Sequence, residues 1–155
     1  PMDCLQSSTY LKQLGIFKCP ALHSVPDLQG LTMLEHLRMG KFRREAADFP
    51  WPRHLPSSLR DLTLIGWPEV KSLPHPPQQL SSLSSLTIVG FDGLENLPEW
   101  LGSLSNLERL SIIDCSNVKE LPSQEAMGLL SKLNHLTIFG CPLVEDRLRE
   151  ESGPE

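Results

Sequence analysis

The sequence predicts an α/β solenoid, a horseshoe with a parallel β-sheet on its concave face and loops, turns or short helices on its convex side. Three observations lead to this fold class. Leucine supplies 29 of the 155 residues. The pattern Leu-x-x-Leu-x-(Leu/Ile/Met) returns at nearly constant intervals, and an apolar residue followed by proline comes after most copies. A chain of this length fits one domain.

Six copies of the pattern define the repeats. They open at Leu11, Leu34, Leu59, Leu83, Leu107 and Leu133, at intervals of 23, 25, 24, 24 and 26 residues. These intervals lie in the range of roughly 20–29 residues that is typical of leucine-rich repeats. We therefore predict about six repeats, each with one short parallel strand and a return arm. A single repeat cannot bury its apolar face, so stacked neighbours create the core.

The aliphatic residues that follow each opening leucine are predicted to point inward from the six strands. They are Leu14, Ile16, Leu37, Met39, Leu62, Leu64, Leu86, Ile88, Leu110, Ile112, Leu136 and Ile138. The residues between them face the concave side, because side chains alternate along a strand. The prolines lack an N–H and suit the return arms. Ser123 is predicted to cap a short helix in the longest arm.

We divide the chain into a remnant of a preceding repeat (1–10), the leucine-rich repeats (11–144) and an acidic C-terminal tail (145–155). Pro1 stands where the proline of an earlier Leu-Pro step would stand, so we expect further sequence upstream. The polar caps of solenoids are not evident at the N-terminus. We therefore expect an exposed edge at the first strand and marginal stability for this piece alone.

Composition argues against two classes of partner. The formal net charge is −5, and an acidic chain is a poor nucleic-acid binder because phosphate contacts need clustered Lys and Arg. No apolar run approaches the roughly 20 residues of a membrane-spanning helix. We expect no nucleic acid and no membrane span.

Three of the four cysteines share one repeat position, which leucine-rich repeats often fill with Asn and which faces a turn. They are Cys19, Cys115 and Cys141. Strands lie about 4.8 Å apart, so only Cys115 and Cys141 are close enough to bridge. We predict buried free thiols in a reducing compartment, with a Cys115–Cys141 disulfide as the alternative. The chain also has no Asn-x-Ser/Thr glycosylation site, which favours an intracellular protein.

Catalytic motifs do not appear in the sequence. Phosphate-binding glycine loops and a Gly-x-Ser-x-Gly elbow are missing. His36 and His135 share a column but lie four repeats apart, too far to share a metal ion. We expect no enzyme activity and no metal site.

The predicted concave columns suggest a protein-binding surface. One column is largely apolar: Phe17, Gly40, Ile65, Val89, Ile113, Phe139. The column beside it contains Arg38 and small hydroxyl side chains, and a third contains His36, Arg109 and His135. An apolar stripe flanked by polar columns resembles a protein-contact patch. The candidate partner-binding residues are Phe17, His36, Arg38, Ile65, Val89, Arg109, Ile113, His135 and Phe139. Two alternatives remain: cover by another domain of the same protein, and β-branched residues that simply suit strands.

The second repeat has an irregular arm from Phe42 to His54. Lys41, Arg43 and Arg44 precede a Phe-Pro-Trp-Pro segment there. This arm is interpreted as a solvated loop with Trp51 packed inward, or as a contact for an acidic partner. Trp100, after Pro98, is expected to pack on the convex side.

Two segments resemble a known family. Residues 97–102, Leu-Pro-Glu-Trp-Leu-Gly, resemble the Leu-Pro-x-Trp-Leu-Gly repeat of plant intracellular resistance proteins. Residues 140–144, Gly-Cys-Pro-Leu-Val, with Arg147 and Glu151 soon after, are similar to the closing segment of the same family. These are the coiled-coil, nucleotide-binding (NB-ARC), leucine-rich-repeat (NLR) immune receptors. The chain departs from the family at Leu148, where a cysteine often follows the arginine, and it lacks the family's tryptophan-containing end.

The resemblance implies a noncatalytic recognition module in a cytoplasmic receptor, with the nucleus as the alternative location. Its partner would be a pathogen effector or a guarded host protein. The segment would also contact the receptor's own nucleotide-binding domain and restrain that switch. ATP or ADP would bind only to that domain, so we expect no cofactor in this segment. Two rival functions remain, a substrate-selecting adaptor of a ubiquitin ligase and an extracellular ligand-binding domain.

Overall fold

The computed structural model describes residues 5, 7–42, 49–77 and 80–153. Its six strands form one parallel sheet in sequence order. They are β1 (Gln13–Phe17), β2 (His36–Gly40), β3 (Asp61–Ile65), β4 (Ser85–Val89), β5 (Arg109–Ile113) and β6 (His135–Phe139). Each strand therefore pairs with the strand of the adjacent repeat. The prediction of a leucine-rich-repeat solenoid with a parallel sheet is confirmed.

The sheet keeps its register across all six repeats. Leu14 lies beside Leu37, Leu62, Leu86, Leu110 and Leu136 in turn, and Ile16 begins the second inward row. The eight inward residues of β2 to β5 are at most 1% exposed, as predicted. Two aliphatic side chains per strand, stacked at the strand spacing, make one continuous core.

The two outer strands bury their inward residues less well. Leu14 is half-buried in β1, and Leu136 is 44% exposed in β6. Ile138 is also half-buried. Each outer strand has a neighbour on one side only, so its side chains lack half of the contacts that an inner strand provides. The predicted burial of the inward positions therefore holds fully for the inner strands and in part for the outer ones.

The return arms form the convex side and include short helices. A 3-10 helix spans Glu99–Ser103, α1 spans Gln124–Leu129 and α2 spans Pro142–Ser152. The Ser123 hydroxyl accepts a hydrogen bond from the Ala126 backbone N–H at 3.2 Å, which confirms the predicted cap. Helix α2 starts within the stretch assigned to the repeats and continues into the stretch assigned to the acidic tail. The N-terminal stretch 1–10 falls largely outside the described residues.

An aromatic stack fills the convex side of the middle repeats. Phe49 packs against Phe42, Trp51, Trp67 and Phe91, with ring centroids 5.2–6.4 Å apart. Phe42, Trp67 and Phe91 occupy the repeat position that holds cysteine in the outer repeats, so large rings there replace small thiols.

Both flanking tryptophans satisfy their indole N–H groups in the return arms. Trp51 donates to the Pro74 carbonyl at 2.8 Å, and Trp100 donates to the Leu73 carbonyl at 2.9 Å. Trp100 is 9% exposed, in agreement with the predicted convex packing. Trp51 is half-buried, so its inward packing is partial. Arg43 and Arg44 lie outside the described residues.

The cysteine column has the predicted structural role. Cys115 and Cys141 are free, fully buried thiols, and Cys19 is free and half-buried. The Cys115 thiol donates to the Ile113 carbonyl at 3.3 Å, and the Cys141 thiol donates to the Phe139 carbonyl at 3.4 Å. Each thiol thus helps to satisfy the backbone where its strand ends. Cys4 lies outside the described residues.

Candidate functional site: the concave sheet

The apolar column crosses the whole concave face. Strand register places Phe17, Gly40, Ile65, Val89, Ile113 and Phe139 side by side. Phe17 is 38% exposed and Phe139 is 68% exposed, while the three β-branched residues between them are half-buried. The column is therefore a stripe with an aromatic ring at each end, accessible to a macromolecule over its full length.

Polar side chains line one side of this stripe. Thr63, Thr87 and Ser111 are half-buried, and Thr137 is exposed. In the next column, Arg109 and His135 are exposed, and the His36 imidazole Nδ1 lies 3.2 Å from the Asp61 carboxylate across β2 and β3. These groups offer hydrogen bonds beside the apolar stripe, an arrangement common in protein–protein interfaces.

The structure groups the nine predicted site residues in two places. Phe17, His36 and Arg38 lie on β1 and β2, whereas Arg109, Ile113, His135 and Phe139 lie on β5 and β6. Ile65 and Val89 connect the two groups through the apolar column. His36 and His135 are four strands apart, about 19 Å at the usual strand spacing, so they do not form a joint site.

Phe17 and Arg38 form a pair on the first two strands. The Arg38 guanidinium carbon lies 5.4 Å from the centroid of the Phe17 ring, a cation–π contact. Gly15 makes room for it: a Cβ at Gly15 would lie 3.0 Å from the ring of Phe17, which folds back over its own strand. Arg38 stands beside Gly15 in the register and covers the ring from the neighbouring strand. Below we call this pair the Phe17–Arg38 platform.

Two lysines at the strand ends were missed by the sequence analysis. Lys18 and Lys41 directly follow β1 and β2, and both have left-handed backbone conformations, with φ of 55° and 50°. Their backbone N–H groups bond to the carbonyls of Gly40 and Ile65 on the adjacent strands. Both side chains are exposed next to the platform. Aligning the repeats one residue beyond the apolar column would have revealed this pair.

A second concavity lies on the convex side, between α2 and the last return arm. This open groove has a volume of about 480 Å³ and an apolar floor that includes Leu121, Met127 and Val144. Arg147 of α2 pairs with Glu120 across it at 2.5 Å, and this ion pair raises the pKa of the Arg147 guanidinium. The groove thus helps to define how α2 sits on the last repeat.

Reactive chemistry finds little support in the described part of the chain. Burial raises the pKa of the Cys115 thiol to about 11 and also raises the pKa of the Cys141 thiol. A protonated thiol is a poor nucleophile and a poor metal ligand. Within the described residues, no group of three or more His, Cys, Asp and Glu side chains is arranged to hold a metal ion. The helices in those residues include none that is long and apolar enough to cross a bilayer.

One comparison with known proteins gives a match. The family model described as R13L1/DRL21 LRRs matches residues 75–141, which include β4, β5 and β6. This chain is a leucine-rich-repeat segment. The match covers less than half of the segment, and β1 to β3 lie outside it. A search of curated proteins found no match. Leucine-rich-repeat solenoids are generally binding scaffolds, and their extended concave surfaces contact other proteins.

Proposed function

We propose that this leucine-rich-repeat segment is the noncatalytic recognition module of an intracellular plant immune receptor of the NLR class. In this proposal the concave face contacts a pathogen effector or a guarded host protein. Without that ligand, the segment restrains the nucleotide-binding domain of the same receptor, and any ATP or ADP binds to that domain alone. We place the receptor in the cytoplasm, with the nucleus as the alternative.

The apolar column is the observation that supports this function most directly. Ile65, Val89 and Ile113 are half-buried on a face that no element of the described chain covers, and Phe139 is largely exposed. An apolar stripe of this length loses free energy in water unless a partner covers it. The resemblance of residues 97–102 and 140–144 to NLR repeats points to an immune receptor, and the match to R13L1/DRL21 LRRs agrees with such repeats.

Restraint of the switch requires different contacts in the two states of the receptor. A ligand shifts such an equilibrium only by the difference between its affinities for the two states. The segment would contact the nucleotide-binding domain in the resting state and the ligand in the active state. A concave substitution should therefore change the resting activity, the ligand response, or both.

The test uses the complete receptor that contains this segment. The stripe variant combines Ile65→Glu, Val89→Glu, Ile113→Glu and Phe139→Glu. A matched control places glutamate at four exposed convex positions, Lys71, Ser105, Asn117 and Lys132. Cell death is scored in leaf tissue with and without the ligand, and immunoblots check that both variants accumulate.

We expect the stripe variant to lose its ligand response or to signal without ligand, and the control to behave as the wild type. Wild-type behaviour of an equally abundant stripe variant, in both conditions, would reject recognition and restraint together. An F-box upstream of the segment would instead favour the ubiquitin-ligase adaptor, and a cleaved signal peptide would favour an extracellular receptor.

A further inference from the structure

Charge is distributed unevenly over the concave sheet. From one residue before each strand to one residue after it, β1 to β3 carry five cations and two anions. The cations are Lys12, Lys18, Arg38, Lys41 and Arg60; the anions are Glu35 and Asp61. The same ranges around β4 to β6 carry one cation and two anions, and the whole chain has a net charge of −5. The N-terminal half of the sheet is therefore a positive region on an acidic protein.

The cations nearest the apolar column are available to a partner. Among the described residues, no carboxylate forms an ion pair with Lys18, Arg38 or Lys41. The Asp61 carboxylate lies beside the His36 imidazole instead. Cations without an internal counter-ion raise the local positive potential and attract anions.

The Phe17–Arg38 platform holds the central cation in place. The ring contacts the guanidinium carbon, which leaves the N–H groups at the edge of the guanidinium free to donate. These groups form a rigid fork that matches a carboxylate in bidentate geometry. Resting on the ring also reduces the side-chain entropy that Arg38 would lose when it binds.

Neighbouring strands bring the two lysines to the same platform. The Lys18 backbone N–H bonds to the carbonyl of Gly40, the residue before Lys41, so the two lysines lie about one strand spacing apart. Their ammonium groups extend from the strand ends next to the platform. A partner with two or three successive acidic residues could therefore meet all three cations at once.

We propose that this region binds an acidic segment of the partner protein, with one carboxylate on the Arg38 guanidinium and its acidic neighbours at Lys18 and Lys41. An apolar residue of the same segment packs on the exposed part of Phe17. This inference rests on the proposed function, since it names the chemistry of the partner at one end of the recognition surface.

The dimensions of the region favour a protein over a nucleic acid. The three strands span about 10 Å at the usual spacing, so few phosphates could be contacted. Beyond β3 the concave sheet has no comparable excess of cations, and affinity for nucleic acid grows with the number of phosphates neutralised. A short run of Asp and Glu beside an apolar residue matches the platform better.

The test measures binding of a defined probe to the complete chain. The probe is a fluorescein-labelled peptide, Gly-Asp-Glu-Leu-Asp-Glu-Gly, with capped ends, and fluorescence anisotropy is recorded at low and at physiological salt. Its counterpart has Asn and Gln in place of Asp and Glu. The binding variant combines Arg38→Gln and Lys41→Gln. The control combines Lys71→Gln and Lys132→Gln, which remove the same charge from exposed positions outside the concave columns.

We expect the acidic probe to bind at least tenfold more tightly than its amide counterpart. The binding variant should weaken this affinity at least tenfold, and the control should stay within twofold of the wild type. Arg38→Lys keeps the charge but loses the fork, so it should fall between the two. It also provides the decisive comparison if the double variant proves unfolded by circular dichroism.

Equal losses in the binding variant and the control would overturn the proposal, because they would show attraction by net charge alone. Tighter binding of a seven-nucleotide single-stranded DNA than of the acidic probe would overturn it in favour of a nucleic acid. Sedimentation identifies a further outcome: salt-dependent self-association abolished by Arg38→Gln would mean that the acidic α2 of a second copy is the occupant.

Failure of this proposal is distinguishable from failure of the proposed function. If the stripe variant alters immune signalling while the acidic probe does not bind, the recognition function stands and the acidic partner is rejected. If the probe binds at the platform and the stripe variant signals normally, the positive region has a role outside immune recognition.

Discussion

The imidazole Nδ1 of His54 lies 2.8 Å from a carboxylate oxygen of Asp27 and joins the return arms of the first two repeats. The other carboxylate oxygen of Asp27 accepts the backbone N–H of Gln29 at 3.0 Å, and the Leu28 N–H bonds to the His54 carbonyl. The bond from His54, followed by the bond from Gln29, holds the pKa of the Asp27 carboxyl below its usual value of 3.8. One exposed aspartate thus fixes the turn before Leu28, a fully buried core residue.

Asp27→Asn is expected to lower the melting temperature slightly at neutral pH, since the ionised carboxylate is what the folded state favours. A folded-state pKa below the unfolded one gives stability that is present above about pH 4 and is lost as the pH falls further. Calorimetry between pH 3 and pH 8 should show a constant difference between wild type and variant above about pH 5 and a smaller one below pH 4. A difference that grew on acidification would contradict this assignment.

Thiol reactivity should follow burial along the cysteine column. Cys115 and Cys141 are fully buried with raised pKa values, so at pH 8 they are protonated and shielded, whereas Cys19 is half-buried. We expect iodoacetamide to modify Cys19 in the native protein at least tenfold faster than Cys115 or Cys141. Peptide mass spectrometry over time measures the rates, and modification in urea should be equally fast at all three. Rapid native labelling of Cys115 would show that the last repeats open readily.

Gly40 should be the glycine most sensitive to substitution on the concave face. Its φ is +143°, and a Cβ there would lie 1.9 Å from the Ile65 carbonyl oxygen. Gly40→Ala must displace the backbone of β3, and we expect a cost of more than about 2 kcal/mol. Gly128→Ala is the control, because nothing lies within 4 Å of the added methyl in α1. Alanine's helix propensity should make that change neutral or stabilising by up to about 1 kcal/mol. Urea unfolding of both variants decides the order.

Ser123 links two adjacent return arms, so its removal should be felt beyond α1. Its hydroxyl donates to the Glu99 carboxylate at 2.6 Å and accepts from Ala126, and its backbone N–H donates to Glu99 at 2.9 Å. We expect Ser123→Ala to lower the free energy of unfolding by about 1 kcal/mol, the usual cost of losing a cap. The exposed Ser105→Ala should change it by less than about 0.5 kcal/mol. Equal effects of the two changes in urea unfolding would mean that the cap contributes nothing.

The strands and their concave columns could be predicted because both follow from one spacing. Leu62 and Leu64 are buried for the same reason as Leu86 and Ile88: the repeat places each pair at the same point of the solenoid. The cap at Ser123 and the free thiols at Cys115 and Cys141 could also be predicted, since they depend on neighbours one repeat away. Such local dependence is what makes a repeat protein easy to interpret from its pattern.

Features that depend on deviations from the pattern were not predicted. The contact between Arg38 and Phe17 needs the missing side chain at Gly15, and its geometry depends on rotamers that no spacing specifies. Helix α2 replaces the acidic tail expected after residue 144, because Pro142 suits the first helical turn and Glu145 accepts the Cys141 backbone N–H. Both deviations occur at the outer repeats, where a side chain has fewer neighbours to determine its position.

Strand order in this sheet is identical to sequence order, and that has a consequence for how such a surface can change over generations. A side chain on the inner wall of one rung touches only the rungs beside it, so it can be replaced while distant rungs keep their shape. New specificities can thus arise by exchanging a few residues at a time, and a whole rung can be gained or lost without altering the architecture. Natural variants should therefore differ most at these inner-wall positions and least at the leucines behind them.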